Sequence, residues 1–181
     1  MRYYLLNWLF AGITIPVFSQ QNITSGNDKE SENGCSIFAG LGLGGNGTVQ
    51  GLGTGGSFCF HTNMHTFTLY AASANSLVYH GDESDTPVLH GSYFGLTYGV
   101  GQYDEIVSVA AGAGPCYSFV SMSTGGGINY NFTHYEKYGL CFSGQFSIHG
   151  KHAGMGLQGY YNITNAGTDF MLLIGLNIIF R

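Results

Sequence analysis

The sequence predicts an all-β chain: a closed, antiparallel, up-and-down β-barrel that crosses a membrane. Three observations predict it. Residues 138–149 read Tyr-Gly-Leu-Cys-Phe-Ser-Gly-Gln-Phe-Ser-Ile-His, with Tyr138, Leu140, Phe142, Phe146 and Ile148 on one face and Gly139, Cys141, Ser143, Gln145, Ser147 and His149 on the other. A period of two belongs to a strand whose sides meet unlike surroundings. Charged residues make up only 8% of the 181 residues, against about 25% in ordinary soluble proteins, and almost all fall between the dyads. After the first 19 residues no segment is long and apolar enough for a membrane helix, so only strands could hold the mature chain in a bilayer.

The amino-terminal segment has the layout of a secretory signal over residues 1–19. Arg2 supplies the positive start, Leu5 to Val17 is largely apolar, and Val17-Phe18-Ser19 sets a small residue before Gln20. Residues 20–34 form a polar lead-in, and residues 35–181 form the barrel domain.

Dyads place strands near residues 36–45, 48–62, 65–75, 88–101, 106–113, 116–123, 127–134, 138–149, 152–162 and 168–180. Ten is even, as single-chain bacterial barrels require, and it brings both ends to one side. Turn signals set the registers. Asn46-Gly47 as a two-residue loop pairs Leu41 with Leu52. Asn63-Met64 pairs Thr62 with His65, and Gly150-Lys151 pairs His149 with His152. Short connections at 63–64, 102–105, 124–126 and 150–151 share the side of the termini, and the long acidic connection 76–89 lies opposite. If Pro115 is a bulge rather than a turn, its two strands merge, and with one more pair re-read the count is eight.

The outward face collects Ile37, Leu41, Leu43, Phe58, Phe60, Phe67, Leu69, Leu172, Ile174 and Leu176. In water this would be a very large apolar patch; in lipid it is the required surface. The inward face collects glycines, Gln145, Gln158, Asn177, Tyr70, Tyr93 and Tyr160, with Phe38, Phe119, Met171 and Leu173. It predicts a filled, uncharged lumen, because narrow barrels pack their interiors and selective pores line theirs with charge. The alternating glycines at 40–45 and 51–56 are not followed by Lys-Ser/Thr or by a helix. They read as relief of crowding rather than as a phosphate cradle.

The final strand, Asp169-Phe-Met-Leu-Leu-Ile-Gly-Leu-Asn-Ile-Ile-Phe-Arg181, resembles the carboxy-terminal strand of small bacterial outer-membrane β-barrel proteins. Phe180 matches the aromatic typical there, although Arg181 follows it. With the signal and the repeated dyads, the whole mature chain resembles that class. The resemblance implies insertion in the outer membrane after cleavage near Ser19, contact with outer-membrane lipid, and recognition of the last strand by the barrel-assembly machinery.

Candidate chemistry is sparse. Ser147 and His149 share a face, as in a strand-borne serine hydrolase, but the outer-membrane lipid hydrolases carry His-x-Ser and no acid stands near to orient this histidine. His149 and His152 could offer two imidazoles to a metal, one ligand short of a convincing site. Four cysteines in an exported chain allow three pairings. The first hairpin favours Cys35–Cys59, by setting Cys35 opposite Phe58, while Cys116 and Cys141 fall on separated strands with differing faces. A net charge of -5 offers nothing to nucleic acid, and no cofactor motif is present. The expected role is structural or surface interaction without catalysis. An outer-membrane lipid acyl-hydrolase and a soluble exported barrel carrying an apolar ligand are the alternatives.

Overall fold

The computed structural model describes residues 33–46, 49–76, 88–123 and 132–180. It contains β1 (Gly34–Asn46), β2 (Gln50–Thr62), β3 (His65–Ser76), β4 (Val88–Tyr103), β5 (Val107–Ser123), β6 (Phe132–His149), β7 (Ala153–Thr164) and β8 (Gly167–Phe180). Each strand pairs with the next in sequence, and β8 pairs with β1, so the sheet is a closed barrel. The proposed signal and nearly all of the lead-in lie outside the described residues.

The architecture is the predicted one, with eight strands instead of ten. Gly114-Pro115 is no turn. The β5–β6 register runs unbroken through Gly114↔Cys141 and Pro115↔Leu140. On the other side the ladder is interrupted opposite Leu96 and Thr97, between Gly95↔Cys116 and Tyr98↔Ala113, without any shift of register. Proline removes a ladder donor, and here that gap is tolerated inside a strand. The second merger joins residues 132–134 of the expected strand 127–134 with 138–149 in β6, while 127–131 lie outside the described residues. The polar run Thr133-His-Tyr-Glu-Lys137 breaks the dyad because β6 has left the lipid-facing band there, not because the chain turns. With eight strands, β5 ends and β6 begins at the rim opposite the termini, where β3 also ends and β4 begins; 77–87 and 124–131 themselves lie outside the described residues. The connections beyond Thr62, Tyr103 and His149 stay on the terminal rim. Phe119, expected inside, faces outward and is 49% exposed, because parity is not reset at residue 115.

Two hairpin loops lie one residue later than the dipeptides suggest. The Asn46 N–H donates to the Val49 carbonyl at 2.9 Å and its Oδ1 accepts from the Val49 N–H at 2.8 Å. Asn46 is therefore the last ladder residue, and the register is Leu41↔Thr54 and Leu43↔Leu52. Gly150 likewise bonds Ala153 at 2.9 Å, and His149 pairs with Gly154. Both slips are two residues in register, so every side chain keeps its predicted face. The Asn63-Met64 loop stands as predicted: Thr62 pairs with His65, and Asn63 takes a left-handed φ of 54°.

The register fixes the barrel's shape. From Cys35 the paired residues run Phe60, Phe67, Tyr98, Ala113, Phe142, Tyr161, Phe170 and back to β1 at Gly45. The circuit closes ten residues further along the strand, which inclines the strands by about 40°. Ten residues then rise about 25 Å along the axis, the height of a lipid-facing band. Outward side chains fit it. Ile37, Leu41, Leu43, Phe60, Leu96, Ile148, Met155, Ile174 and Leu176 are exposed within it. Toward the rim opposite the termini, the outward positions turn to Asn75, His90, Ser121, His134 and Thr168.

Inside, Tyr70 and Tyr160 stack with centroids 4.0 Å apart. The Tyr70 hydroxyl donates to Asn162 Oδ1 at 2.9 Å. Gln158 Oε1 accepts from Ser57 at 2.9 Å and from Tyr160 at 2.5 Å, and Gln158 Nε2 donates to Gln145 at 3.1 Å. Phe38, Tyr93, Met171 and Leu173 are buried with them. Glycine is required beside these rings: a Cβ at Gly95 would meet the Tyr70 ring, and one at Gly40 would lie 2.7 Å from Phe38 Cζ. The lumen is filled, as expected.

Candidate functional site

The lumen is not uncharged. Lys137 on β6 and Asp169 on β8 point inward, and Lys137 Nζ lies 3.1 Å and 3.3 Å from the two Asp169 carboxylate oxygens, with side-chain exposures of 6% and 1%. The ladder places Ser118 opposite both Tyr93 and Lys137. The Tyr93 hydroxyl and Ser118 Oγ are buried there without a hydrogen-bond partner among the described residues. This group closes the lumen near the rim opposite the termini. The dyad pattern hides it, because Lys137 lies one residue outside the dyads of 138–149 and Asp169 lies at the end of 168–180. Face parity was the available signal: Lys137 follows Gly139 and Cys141, and Asp169 follows Met171 and Leu173.

At the terminal rim the lumen is closed by stacking and hydroxyl contacts. His61 and Tyr103 stack with centroids 4.0 Å apart, and the Tyr103 hydroxyl lies 2.8 Å from Thr66 Oγ1. Ser147 is fully buried. Its Oγ lies 2.6 Å from Ser108 Oγ and accepts from Asn177 Nδ2 at 3.2 Å. His149 is also buried, with Nδ1 at 3.1 Å from the Gly150 carbonyl. The two proposed catalytic residues therefore share the inward face without bonding one another, and the serine hydroxyl is held by a serine and an asparagine rather than by a base. His149 faces Gly154 across the ladder rather than His152, which sits exposed in the turn two residues before it. No group of three metal-ligating side chains occurs among the described residues.

The four thiols are separate. Cys35 pairs with Phe60 and Cys59 with Ser36. The premise that Cys35 stands opposite Phe58 is thus corrected by two residues, and the two cysteines lie on opposite faces of the sheet. The premise for Cys116 and Cys141 is corrected as well. Their strands are adjacent and both side chains are buried on the inward face, Cys116 opposite Gly139 and Cys141 opposite Gly114. They are diagonal neighbours, for which Cα separations run about 7–8 Å, at or beyond the reach of about 7 Å for a bridge.

A second feature lies outside the lumen. β7 ends at Thr164, opposite Gly139, but β6 continues up to Phe132 and stays paired with β5 as far as Ser123. β4 flanks β5 to the same height through Val88↔Ser123. A three-stranded extension therefore rises about 10 Å above the neighbouring strand ends. Thr133, His134, Tyr135 and Glu136 are exposed on both of its faces.

No family model matches the chain, and no curated protein does either. Solved structures do. Ail, the attachment invasion locus protein of Yersinia pestis, superposes with a TM-score of 0.52 at 15% identity, over 83% of this chain and 99% of that one. It has also been solved in complex with the heparin analogue sucrose octasulfate. The N-terminal β-barrel domain of Pseudomonas aeruginosa OprF gives a TM-score of 0.57 at 11% identity, over 83% and 100% of the two chains. Neisserial surface protein A gives 0.52 at 14%, over 81% and 95%. At such identities the likeness speaks to fold, and the fold of this chain is that of the small outer-membrane β-barrels.

Proposed function

We propose that this protein is a non-catalytic surface-interaction protein of a bacterial outer membrane, in which the barrel is the anchor and the β4–β6 extension presents the contact surface. The observation that carries the reading is the extension itself. A barrel serving only as a plug would end its strands together, whereas β5 and β6 run on past the lipid band, and residues 133–136 of β6 are exposed on both faces there. The filled lumen supports the same reading, because a diffusion channel or a carrier of an apolar ligand needs open internal space. Export by the amino-terminal signal and assembly through the β8 strand, with Phe180 facing lipid, belong to this proposal.

The sulfated ligand recorded with the Yersinia barrel does not suit this chain. The described residues of the extension carry Glu136, and their one cation, Lys137, is engaged with Asp169 inside the lumen. The connection leading into β4 adds Asp82, Glu83 and Asp85 in sequence. Among the described residues of the extension a polyanion would meet an acidic group and no free cation. The topology is testable on whole cells. An epitope inserted at 82–85 should bind antibody on intact cells, and one at Gly150-Lys151 only after permeabilisation; the reverse pattern would invert the orientation and remove the surface reading.

A further inference from the structure

Every strand of a closed barrel has two partners, except where one strand outruns its neighbour. Here that happens on one side of β6. The Tyr138 N–H donates to Asn165 Oδ1 at 3.2 Å, and the Tyr138 carbonyl accepts from the Asn165 N–H at 3.1 Å. Tyr138 thus directs its backbone groups toward the β7 side. Backbone direction alternates along a strand, so Glu136 and His134 direct theirs the same way, past the end of β7. Residues 133, 135 and 137 direct theirs toward β5. Among the described residues no strand lies against that edge above Gly139. Natural edges of this kind are blunted by lysine, proline or a bulge. Neither a proline nor a bulge interrupts this one, and its lysine, Lys137, is turned into the lumen onto Asp169: the β5–β6 register is regular to Ser123↔Phe132, and the exposed residues are Thr133, His134, Tyr135 and Glu136.

The chemistry around the edge is one-sided. Glu136 stands on it, and the acids of 82–85 belong in sequence to the connection that leads into β4, the far strand of the extension. Of the sequence's other cations, Arg2, Lys29 and Arg181 lie toward its two ends, and Lys151 sits in the turn between β6 and β7 on the terminal rim. Tyr138, 65% exposed, and Phe119, directly opposite Glu136, add aromatic surface beside the edge, which attracts cations through the ring face. A second copy of the same edge would bring acid against acid.

We propose that the open edge of β6, centred on the backbone of His134 and Glu136, pairs with an extended, cationic segment of a partner protein. Backbone hydrogen bonds supply the pairing, and lysine or arginine on alternate positions meets Glu136 and the aromatic rings. The inference rests on the surface reading above, and names the partner's chemistry.

The test uses the barrel refolded in detergent micelles and three fluorescent twelve-residue probes: alternating Lys-Thr, alternating Glu-Thr, and the Lys-Thr sequence methylated on every backbone nitrogen. The Lys-Thr probe should bind at least about tenfold more tightly than either control. His134→Pro removes an edge N–H that β5 does not use and should weaken binding by about tenfold, whereas His134→Ala keeps that N–H and should bind as the parent does. Glu136→Lys should weaken the Lys-Thr probe. Equal binding of the methylated probe, equal binding of the Glu-Thr probe, or full binding by a folded His134→Pro variant would each overturn the proposal. These outcomes are independent of the whole-cell epitope result. A hidden 82–85 epitope sinks the surface reading alone, and failed probe binding with an accessible epitope sinks the edge pairing alone.

Discussion

Replacing Lys137 by methionine should destabilise the folded barrel by about 3–5 kcal/mol, among the largest effects of any single lumenal substitution. The carboxylate of Asp169 is 1% exposed and meets Lys137 Nζ through both oxygens. Without the amine, a buried charge is left uncompensated. The double variant Lys137→Met with Asp169→Leu should regain most of the loss, because a buried pair exchanged for apolar groups of similar volume is often neutral. Urea unfolding in detergent or lipid, followed by tryptophan-independent circular dichroism, gives the three midpoints. A Lys137→Met barrel as stable as the parent would mean that the pair is solvated and the outer lumen open.

The second large effect is on the lipid face and depends on depth. Leu41 is 66% exposed near the middle of the 25 Å band, and Leu41→Arg should cost about 2–4 kcal/mol there. Asn75 shares the outward face but stands close to the rim, where Asn75→Arg should cost about 0–1 kcal/mol. Reversible unfolding from bilayers measures both. Equal costs would contradict the band position set by the register.

Most of the fold was legible because face parity is a robust signal. The three hairpin registers set by turn dipeptides differ from the structure by zero or two residues, and an even slip leaves Phe38 inside and Leu41 outside. Strand count was less legible, for two separate physical reasons. Gly114-Pro115 carries the composition of a turn, but a closed barrel can spare one ladder bond where Pro115 lies. The polar run 133–137 mimics a loop, because a strand above the bilayer no longer needs apolar residues on either face. The ion pair was hidden by the same misreading, since Lys137 counted as turn until β6 was seen to continue through it. Ser147 and His149 show the converse limit. Sequence placed them correctly on one inward face, but only the register shows Ser147 engaged by Ser108 and Asn177.

The most direct test of the account is fractionation of the expressed protein combined with gel mobility before and after boiling. The account predicts recovery in the outer-membrane fraction, solubilisation only with detergent, and a mobility shift on boiling as the closed barrel unfolds. Recovery as a soluble species without detergent, with one mobility under both conditions, would contradict it.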